Sequence, residues 1–476
     1  MHKLFCGKVE RCVELMADIR YNACLFFNRS NVCRSNSKVI ARGNGLKPVK
    51  VGICGLGTVG GGTFNVLKRN AEEISRRAGR SIVVEAIGAR RENPDCDTRG
   101  THITADIFEI ARNPEIDVVV ELIGGYELAL ELVMTAIEHG KHVVTANKAL
   151  IAVHGNEIFE AAQKKNVMVA FEASVAGGIP IIKAIREGLS ANKINWLAGI
   201  INGTGNFILT EMRDKGRDFA DVLAEAQALG YAEADPTFDV EGIDAAHKLT
   251  ILASIAFGVP LQFEKAYTEG ISKITAEDVQ YAEELGYRIK HLGVSRRTEN
   301  GIELRVHPTM IPEKALLANV HGVMNAVLVD GDAVGQTMYY GAGAGAEPTA
   351  SAVVADIVDV VRTLTADRDN RVPHLAFQPG SLSELPILPV DEVTSAYYLR
   401  LTVNERPGVL AMVTSILSES EISIDAIIQK ETHEDQVPVI ILTQDVQEKQ
   451  MNEAIAKIEA LADVNQAVTR IRVEHL

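Results

Sequence analysis

The chain has 476 residues, 63 acidic against 48 basic residues, and a formal net charge of −15. This length allows two or three domains, and 47% hydrophobic residues are ordinary for a soluble globular protein. Such an acidic chain is a poor general binder of nucleic acid or anionic membrane, although a local site for a phosphate-bearing cofactor is compatible with it. The sequence has no run of about 18 uninterrupted apolar residues, so no transmembrane helix is predicted.

Residues 1–46 differ from the rest of the chain. They lack clear periodicity and hold four of the six cysteines, whose spacings fit neither a zinc site nor a disulfide framework. A reducing, cytoplasmic location fits this cysteine usage best. The apolar run in this segment is too short and too far from the start for a signal peptide. The segment is either a native extension or the product of a start site assigned too far upstream.

Three domains are predicted after this extension. Short apolar strands alternate with helices over residues 47–178, which predicts a parallel sheet in an α/β, Rossmann-type dinucleotide-binding domain. Residues 179–369 favour a separate α+β domain that ends in a long apolar helix over 346–365. A proline-rich linker over 370–394 leads to residues 395–476, where a βαββαβ pattern predicts a ferredoxin-like domain.

A glycine loop follows the first predicted strand and opens a helix. Gly55, Gly57 and Gly60 form G-x-G-x-x-G in the context that a dinucleotide requires. The first glycine permits a tight turn, the second lets the backbone approach pyrophosphate, and the third lets helix pack on strand. The alternative is a glycine-rich turn without a ligand. The predicted cofactor-binding residues of this loop are Gly55, Leu56, Gly57, Thr58, Val59 and Gly60.

The second strand ends with Arg90 and Arg91, where NAD-binding proteins usually carry an acid for the ribose hydroxyls. Two arginines can pair with a 2′-phosphate, which favours NADP. Solvated surface arginines are the alternative, and use of both NAD and NADP stays open.

Two lysines stand out. Lys148 lies just beyond a predicted strand end, where doubly wound sheets bind ligands, although a helix-start lysine facing water is an equal alternative. Lys248 follows Asp244 by four residues on one helix face. Such a pair is usually a solvated salt bridge, but the surrounding residues are mostly apolar. If Lys248 points inward, burial and a second lysine would lower its pKa, as a proton-transferring lysine needs.

The segment "AQALGYAEADPTFDVEGIDAAHK" resembles the signature of homoserine dehydrogenases. The resemblance extends to "TANKAL", "EASVAGGIP", "INGTGNFIL" and "GAGAGAEPTASAVVAD", covers residues 47 to about 365, and is joined by a terminal unit that resembles an ACT domain. The signature positions that match are Ala226, Gly230, Asp235, Pro236, Asp239, Gly242, Asp244 and Lys248.

This resemblance implies interconversion of L-aspartate 4-semialdehyde and L-homoserine with NADPH or NADH. It implies that Glu233 binds the substrate ammonium group, while Asp239 and Asp244 position polar substrate groups and Lys248. Lys248 is the first candidate for acid/base catalysis, and Lys148 shares this role, contacts substrate or holds the nicotinamide.

Further assignments come from the same resemblance. It implies that residues 179–369 form the α+β catalytic and dimerisation domain, whose end helix over 346–365 returns to the cofactor domain. Thr145 and Gly345 are expected near the cofactor, with a simple helix-start turn as the alternative for Gly345. Of the remaining acids, Glu241 is expected in solvent and Asp235 only shapes the turn before Pro236.

The segment "FEASVAGGIP" resembles the monovalent-cation site of that family. A sodium-like cation is expected there, and an unoccupied loop is the alternative. The expected ligands are a side-chain oxygen of Glu172 and the backbone carbonyls of Val175, Gly177 and Ile179.

The ACT-like unit implies regulation. Asn404, Pro407 and Gly408 match the loop that binds a small amino acid in ACT domains, usually across a dimer interface. Feedback control by threonine is the simplest expectation, and a domain that only dimerises is the alternative. A homodimer or homotetramer is expected.

Two other functions were compared with this one. An aspartate-semialdehyde dehydrogenase needs a nucleophilic cysteine, but Cys54 precedes the glycine loop and Cys96 sits in a segment with surface character. A non-catalytic amino-acid sensor is disfavoured by the intact lysines and Asp244. His307 and His321 are predicted to be core histidines rather than metal ligands.

Overall fold

A computed structural model describes residues 46–366, 371–430 and 436–476. The predicted N-terminal extension lies outside the described residues apart from Leu46. Within the described ranges, no helix combines the length and the apolar character needed to cross a membrane.

The first domain alternates strands and helices, as the sequence predicts. Its elements are β1 (Val49–Cys54), α1 (Thr58–Arg69), α2 (Ala71–Ala78), β2 (Ile82–Gly88), β3 (His102–Thr104), α3 (Ile107–Arg112), β4 (Val118–Glu121), α4 (Glu127–Glu138), β5 (His142–Thr145), α5 (Lys148–Lys165) and β6 (Val169–Ala170).

These strands form a parallel sheet in the order β3-β2-β1-β4-β5-β6, which is the order of dinucleotide-binding folds. Strand β1 lies between β2 and β4, with Cys54 beside both Gly88 and Glu121. The strand order reverses there, so the crevice outside the carboxyl ends of β1 and β4 is the expected ligand position.

The second domain begins with a helical turn and a long mixed sheet. Its elements are α6 (Ile181–Lys183, continuing as a π-helical turn over Ala184–Gly188), β7 (Ile194–Ile200), α7 (Gly203–Lys215), α8 (Phe219–Ala228), α9 (Thr237–Val240), α10 (Ile243–Phe257), β8 (Tyr267–Thr268), α11 (Ala276–Glu284), β9 (Tyr287–Arg297), β10 (Ile302–Pro312), β11 (Met324–Gly331), β12 (Gly335–Ala342) and α12 (Ala346–Thr363).

Two helices join this domain to the first one. Helix α10 is apolar on almost every side because it packs between α5 of the first domain and strands β9 and β10. Helix α12 returns to pack on α1, and a Cβ added at Gly62 would lie 2.5 Å from the carbonyl oxygen of Ala346. The glycines of α1 therefore permit this close approach.

The C-terminal region has the predicted βαββαβ order. Its elements are β13 (Thr394–Asn404), α13 (Val409–Glu419), β14 (Ile424–Gln429), β15 (Gln436–Thr443), β16 (Val446–Gln447), α14 (Glu448–Glu459) and β17 (Thr469–Val473). Its main strands lie in the order β17-β13-β15-β14 and are antiparallel.

The third domain is joined to the second through one sheet. Strand β17 pairs in parallel with β10, so that the sheet runs from β12 to β14 through both domains. At this seam the fully buried guanidinium of Arg305 donates to Glu303 at 2.8 Å and to Glu474 at 2.6 Å. Buried Arg472 likewise contacts Glu269 of the second domain at 2.7 Å. Buried charges of this kind need such partners.

The segment predicted as a linker packs on the second domain where it is described. Leu375, Ile387 and Val393 are buried, and Ile387 forms a parallel bridge with Ile302. The prolines therefore mark an extended strap rather than a free tether, because their apolar neighbours cover the edge of the core.

The two histidines differ in their surroundings. His307 is fully buried and contacts Arg305 at 2.8 Å, which confirms the predicted core position. For His321 the prediction is wrong, because its side chain is exposed and lies 3.4 Å from Arg213. Asn206 binds the carbonyls of Val320 and Gly322 on either side of it, which leaves the imidazole pointing outward.

Candidate active site

A buried carboxylate organises the carboxyl ends of β4 and β5. Glu121 is fully buried, accepts a hydrogen bond from Thr145 Oγ1 at 2.5 Å, and accepts the backbone N–H groups of Ile123 and Gly124. Thr145 in turn accepts from the backbone N–H of Asn147 at 3.0 Å. This network fixes the turn from which α5 starts.

Lys148 occupies the first position of α5, directly after the capping residue Asn147. A cation at a helix N-terminus opposes the helix dipole, so its presence here is a local cost that points to a function. Its Nζ lies 2.9 Å from Oδ1 of Asp244, which belongs to the second domain. Lys148 therefore reaches the other domain, and its side chain stays partly exposed.

Helix α10 supplies the second lysine. Gly242, at φ 84°, turns the chain into the helix, and Asp244 and Lys248 lie one turn apart inside it. Lys248 Nζ donates to Asp244 Oδ2 at 2.6 Å and to the carbonyl oxygen of Ile201 at 2.8 Å. Among the described residues, Asp244 and Ile201 thus accept two of the three N–H groups of this ammonium.

The surroundings shift the pKa values of the two lysines in opposite directions. Asp244 is the main cause that raises the pKa of Lys148, with smaller contributions from Asp239 and Glu233. Burial lowers the pKa of Lys248, and the neighbouring charge of Lys148 adds to this, although Asp244 opposes it. Burial alone would raise the pKa of Asp244, but the two lysines hold it well below its ordinary value.

The other acids of the signature occupy different positions. Asp239 is half-buried and accepts from Asn202 Nδ2 at 2.7 Å, and burial raises its pKa. Glu233 is exposed, within electrostatic reach of Lys148. Asp235 accepts from Thr237 within its own turn, as predicted. Glu241 departs from its prediction, because it is half-buried and accepts from Ser272 Oγ at 2.8 Å.

The glycine loop lies at the mouth of a cleft of about 1370 Å³. Gly55 has φ 104°, and a Cβ at Gly60 would lie 2.0 Å from the Gly55 carbonyl oxygen, so both positions require glycine. A Cβ at Gly57 would meet nothing within 4 Å, which is the open space that a pyrophosphate would fill. No side chain caps the start of α1, and its first N–H groups suit an anion.

Six of the eleven residues predicted to hold the cofactor line this cleft, whereas Val59, Gly60, Thr145, Lys148 and Gly345 do not. Arg90 and Arg91 are exposed at its rim, and within residues 46–366 neither makes an ion pair. Gly345 has φ 123° and begins α12, whose first residues also line the cleft. The site therefore has the glycine loop and open cleft that a dinucleotide needs, with two arginines exposed at its rim.

The predicted cation loop surrounds a buried acid. Glu172 is 2% exposed, and its carboxylate accepts the backbone N–H groups of Ile182 and Lys183 at 2.9 and 2.8 Å. Burial raises its pKa from 4.5 to about 7. Asp356 accepts from the backbone N–H of Glu172, and burial with the charge of Glu172 raises the pKa of Asp356 well above its ordinary value.

The backbone of that loop is shaped by positive φ angles, 53° at Ala176 and 43° at Gly177. Val175 and Ile179 are buried, and the carbonyl of Ile179 already accepts from Ile181 at 2.8 Å. Two neighbouring buried acids with raised pKa values form a site where a cation would relieve unfavourable charge.

The two cysteines of the described chain offer no nucleophile. Cys54 and Cys96 are both free and buried, which corrects the surface position expected for Cys96. Burial raises the pKa of both thiols, so neither favours the thiolate that thioester chemistry needs.

The predicted effector loop borders a cavity of about 290 Å³ at the start of α13. Gly408 has φ 95° immediately before this helix, and Asn404 and Pro407 line the cavity. The Asn404 side chain is held by Asp463 at 2.9 Å and Asn465 at 2.8 Å.

Three buried polar residues of this region received no role from the sequence. They are Asn202, Glu121 and His247, whose imidazole stacks on Phe263 at 4.1 Å. A polar residue directly after an apolar strand was a usable signal for Asn202 and Glu121, because both close a strand in the sequence. Nothing in the local pattern distinguished His247, and burial lowers its pKa to about 4.

Comparison with known proteins agrees with this geometry. The family model described as homoserine dehydrogenase matches residues 180–358, that of its NAD binding domain matches 55–172, and the ACT domain model matches 397–460. A homoserine dehydrogenase of Pseudomonas aeruginosa is 74% identical over 433 residues, 90% of this chain and 100% of the relative. The chain belongs to the homoserine dehydrogenase family.

Solved structures of homoserine dehydrogenases are also similar. The enzyme from Thiobacillus denitrificans has a TM-score of 0.86 and 68% identity, and the match covers 90% of this chain and 99% of that chain. A hyperthermophilic archaeal homoserine dehydrogenase in complex with NADPH has a TM-score of 0.57 and 26% identity, over 67% and 99%.

The resemblance stated from the signature is thereby confirmed. The chain is an NAD(P)-dependent oxidoreductase of amino-acid biosynthesis with a C-terminal ACT domain. The individual residue roles and the domain boundaries stay predictions.

Proposed function

We propose that Lys248 carries the proton in the interconversion of L-aspartate 4-semialdehyde and L-homoserine, while Lys148 stays charged beside the reacting oxygen. The nicotinamide supplies or accepts the hydride at the carbonyl carbon. The observation that carries the proposal is the single carboxylate of Asp244, which lies 2.9 Å from one ammonium and 2.6 Å from the other.

The opposite pKa directions support this division of work. A lysine whose pKa is lowered releases its proton more readily than an ordinary lysine, which favours a role as general acid/base. A lysine whose pKa is raised remains a cation and stabilises negative charge that develops on oxygen during hydride addition. In the direction of homoserine oxidation, the nicotinamide accepts a hydride from the substrate carbon and Lys248 accepts the proton of the substrate hydroxyl.

The acids around the lysines provide for the substrate's own ammonium group. We infer that exposed Glu233 binds it and that Asp239 positions a polar substrate group or Lys248. Thr145 is proposed to hold the nicotinamide end indirectly, since its hydroxyl is bound to Glu121.

Replacement of Lys248 by alanine tests the proton-transfer role. We expect kcat for homoserine oxidation to fall by about 100-fold or more, the range lost with a general acid/base. The Kd for NADPH, measured by fluorescence titration, should stay within about 2-fold of that of the parent enzyme. The reason is that Lys248 lies in α10 of the second domain and not in the dinucleotide-binding domain. Lys164→Ala, an exposed lysine on α5, is the control. Full kcat in Lys248→Ala would move the role to Lys148.

We propose a preference for NADP, supported by the exposed guanidinium groups of Arg90 and Arg91 at the rim of the cofactor cleft. In Arg90→Ala and Arg91→Ala, made separately, KM for NADP⁺ should rise roughly 10-fold in at least one variant. This corresponds to a lost charged hydrogen bond of about 1.5 kcal/mol. KM for NAD⁺ should barely change, and Arg76→Ala is the exposed control in the same domain. Equal effects on both cofactors would contradict the assignment.

We propose that a monovalent cation such as sodium binds at Glu172 with the carbonyls of Val175, Gly177 and Ile179. The raised pKa of Glu172 means that the folded protein holds its proton more tightly than the unfolded one. This carboxyl group therefore contributes stability below pH 4.5 that is lost as the pH rises to about 7. A cation would offset this loss at higher pH.

The cation proposal is tested by thermal unfolding in sodium chloride against choline chloride at equal ionic strength. Sodium should raise Tm at pH 8 and act with about tenfold lower apparent affinity at pH 6, where most of Glu172 is protonated. Glu172→Gln should abolish the difference between the salts, whereas the exposed control Glu160→Gln should keep it. An equal sodium effect at both pH values would exclude Glu172 as a ligand.

We propose that a small amino acid such as threonine binds beside Asn404, Pro407 and Gly408 and inhibits the enzyme. A ligand regulates only if it binds two states of the enzyme unequally.

We also propose a homodimer or homotetramer, supported by the exposed apolar side chains of Leu316 and Tyr340 on the second domain. Cytoplasmic residence is proposed from cysteine usage, and cell fractionation tests it.

Assays and sedimentation with L-threonine test regulation and assembly together. L-threonine should lower the rate of homoserine oxidation at subsaturating substrate, whereas D-threonine at the same concentration should not. In Gly408→Asp the ratio of rates with and without L-threonine should move to one, because a carboxylate there repels the effector's own. Sedimentation should show no monomer at assay concentration; a monomer that still responds to threonine would refute the assembly proposal.

A further inference from the structure

Asn202 lies between the two acids of the site. It ends the turn after β7, is 6% exposed, and caps α7 by accepting the backbone N–H of Gly205 at 2.7 Å. This cap fixes the orientation of the amide, because its oxygen is directed toward the helix. The –NH₂ group is thereby directed toward the acids.

Both N–H groups of that amide are used. Nδ2 lies 2.7 Å from Asp239 Oδ1 and 2.9 Å from Asp244 Oδ2. Two neighbouring carboxylates repel each other, and a donor shared between them offsets this repulsion. Asp244 Oδ2 thus accepts from Asn202 and from Lys248, while its Oδ1 faces Lys148.

Ile201, the residue before Asn202, binds Lys248. The carbonyl oxygen of Ile201 accepts from Lys248 Nζ at 2.8 Å. Two consecutive residues, Ile201 and Asn202, therefore hold both members of the Asp244–Lys248 pair in one turn. Without the amide, the repulsion between Asp239 and Asp244 would lose its shared donor, and the two lysines alone would set the direction of the Asp244 carboxylate.

We infer that Asn202 is a positioning residue for the reaction, whose amide donors fix Asp239 and Asp244 and through them the aim of Lys248. This inference rests on the proposed role of Lys248. It assigns to Asn202 no contact with substrate or cofactor.

Two variants separate the amide donors from the helix cap. Asn202→Ser keeps an oxygen that can cap α7 but loses both amide N–H donors, and its single O–H group sits on a shorter side chain. Asn202→Asp also keeps the cap and adds a third negative charge beside those of Asp239 and Asp244. Thr275→Ala, which removes the cap of α11 away from the site, is the control for cap loss.

In Asn202→Ser we expect kcat for homoserine oxidation to fall at least about 10-fold, the scale of a small misplacement of reacting groups. KM for homoserine should rise, while KM for the nicotinamide stays within about 2-fold of that of the parent enzyme. Rates are expressed per folded enzyme, counted by NADPH titration. Thr275→Ala should keep the parental kcat and KM on this scale.

In Asn202→Asp the added charge should raise the pH at which kcat reaches half of its plateau, because a nearby anion favours the protonated form of Lys248. Loss of folding alone would not move this pH. The inference would be overturned if both variants kept the parental kcat, KM and pH profile. It would also be overturned if their loss of activity were fully explained by a smaller number of NADPH-binding molecules.

Lys248→Ala, assayed in parallel, separates the two possible failures. If it keeps full kcat, the proposed proton transfer fails. If it loses kcat while Asn202→Ser does not, only the positioning role of Asn202 fails.

Discussion

The architecture of the site depends on one buried carboxylate that serves two cations from two domains. Asp244 is 5% exposed, and its charge is tolerated because Lys148 and Lys248 both reach it. Removing one partner of a buried ion pair typically costs about 3–5 kcal/mol, since it leaves a charge without compensation. The same contacts that compensate this charge fix the start of α5 against α10, and so set the position of the cofactor-binding domain relative to Lys248.

Local rules were sufficient to predict much of this arrangement. The glycine loop was found because a dinucleotide needs glycine at fixed spacings after a strand. Lys148 was found because ligands bind outside the carboxyl ends of parallel strands, and the pairing of Asp244 with Lys248 follows from helical periodicity. The parallel sheet and the βαββαβ unit were equally readable, because each strand and helix is short and carries its own hydrophobic pattern.

What the sequence did not reveal depends on contacts between distant residues. Asn202 reaches Asp239 and Asp244 only after β7 and α10 have packed together, and no spacing along the chain records that contact. His321 was misplaced because apolar neighbours indicate a buried segment but not which side chain faces outward. Glu241 was misplaced for a related reason, since its partner Ser272 lies 31 residues further along the chain.

The seam between β10 and β17 has a consequence for biosynthesis. Strand β17 is the last of the described strands, yet it pairs with Thr309 and Met310 of β10, and Glu474 just after it reaches the buried guanidinium of Arg305. While the chain is being translated, this part of the β10 edge therefore stays open and the charge of Arg305 stays incompletely compensated. An exposed strand edge is a template for pairing with strands of other chains. The nascent protein therefore passes through an aggregation-prone stage, at which binding by a chaperone would protect it most.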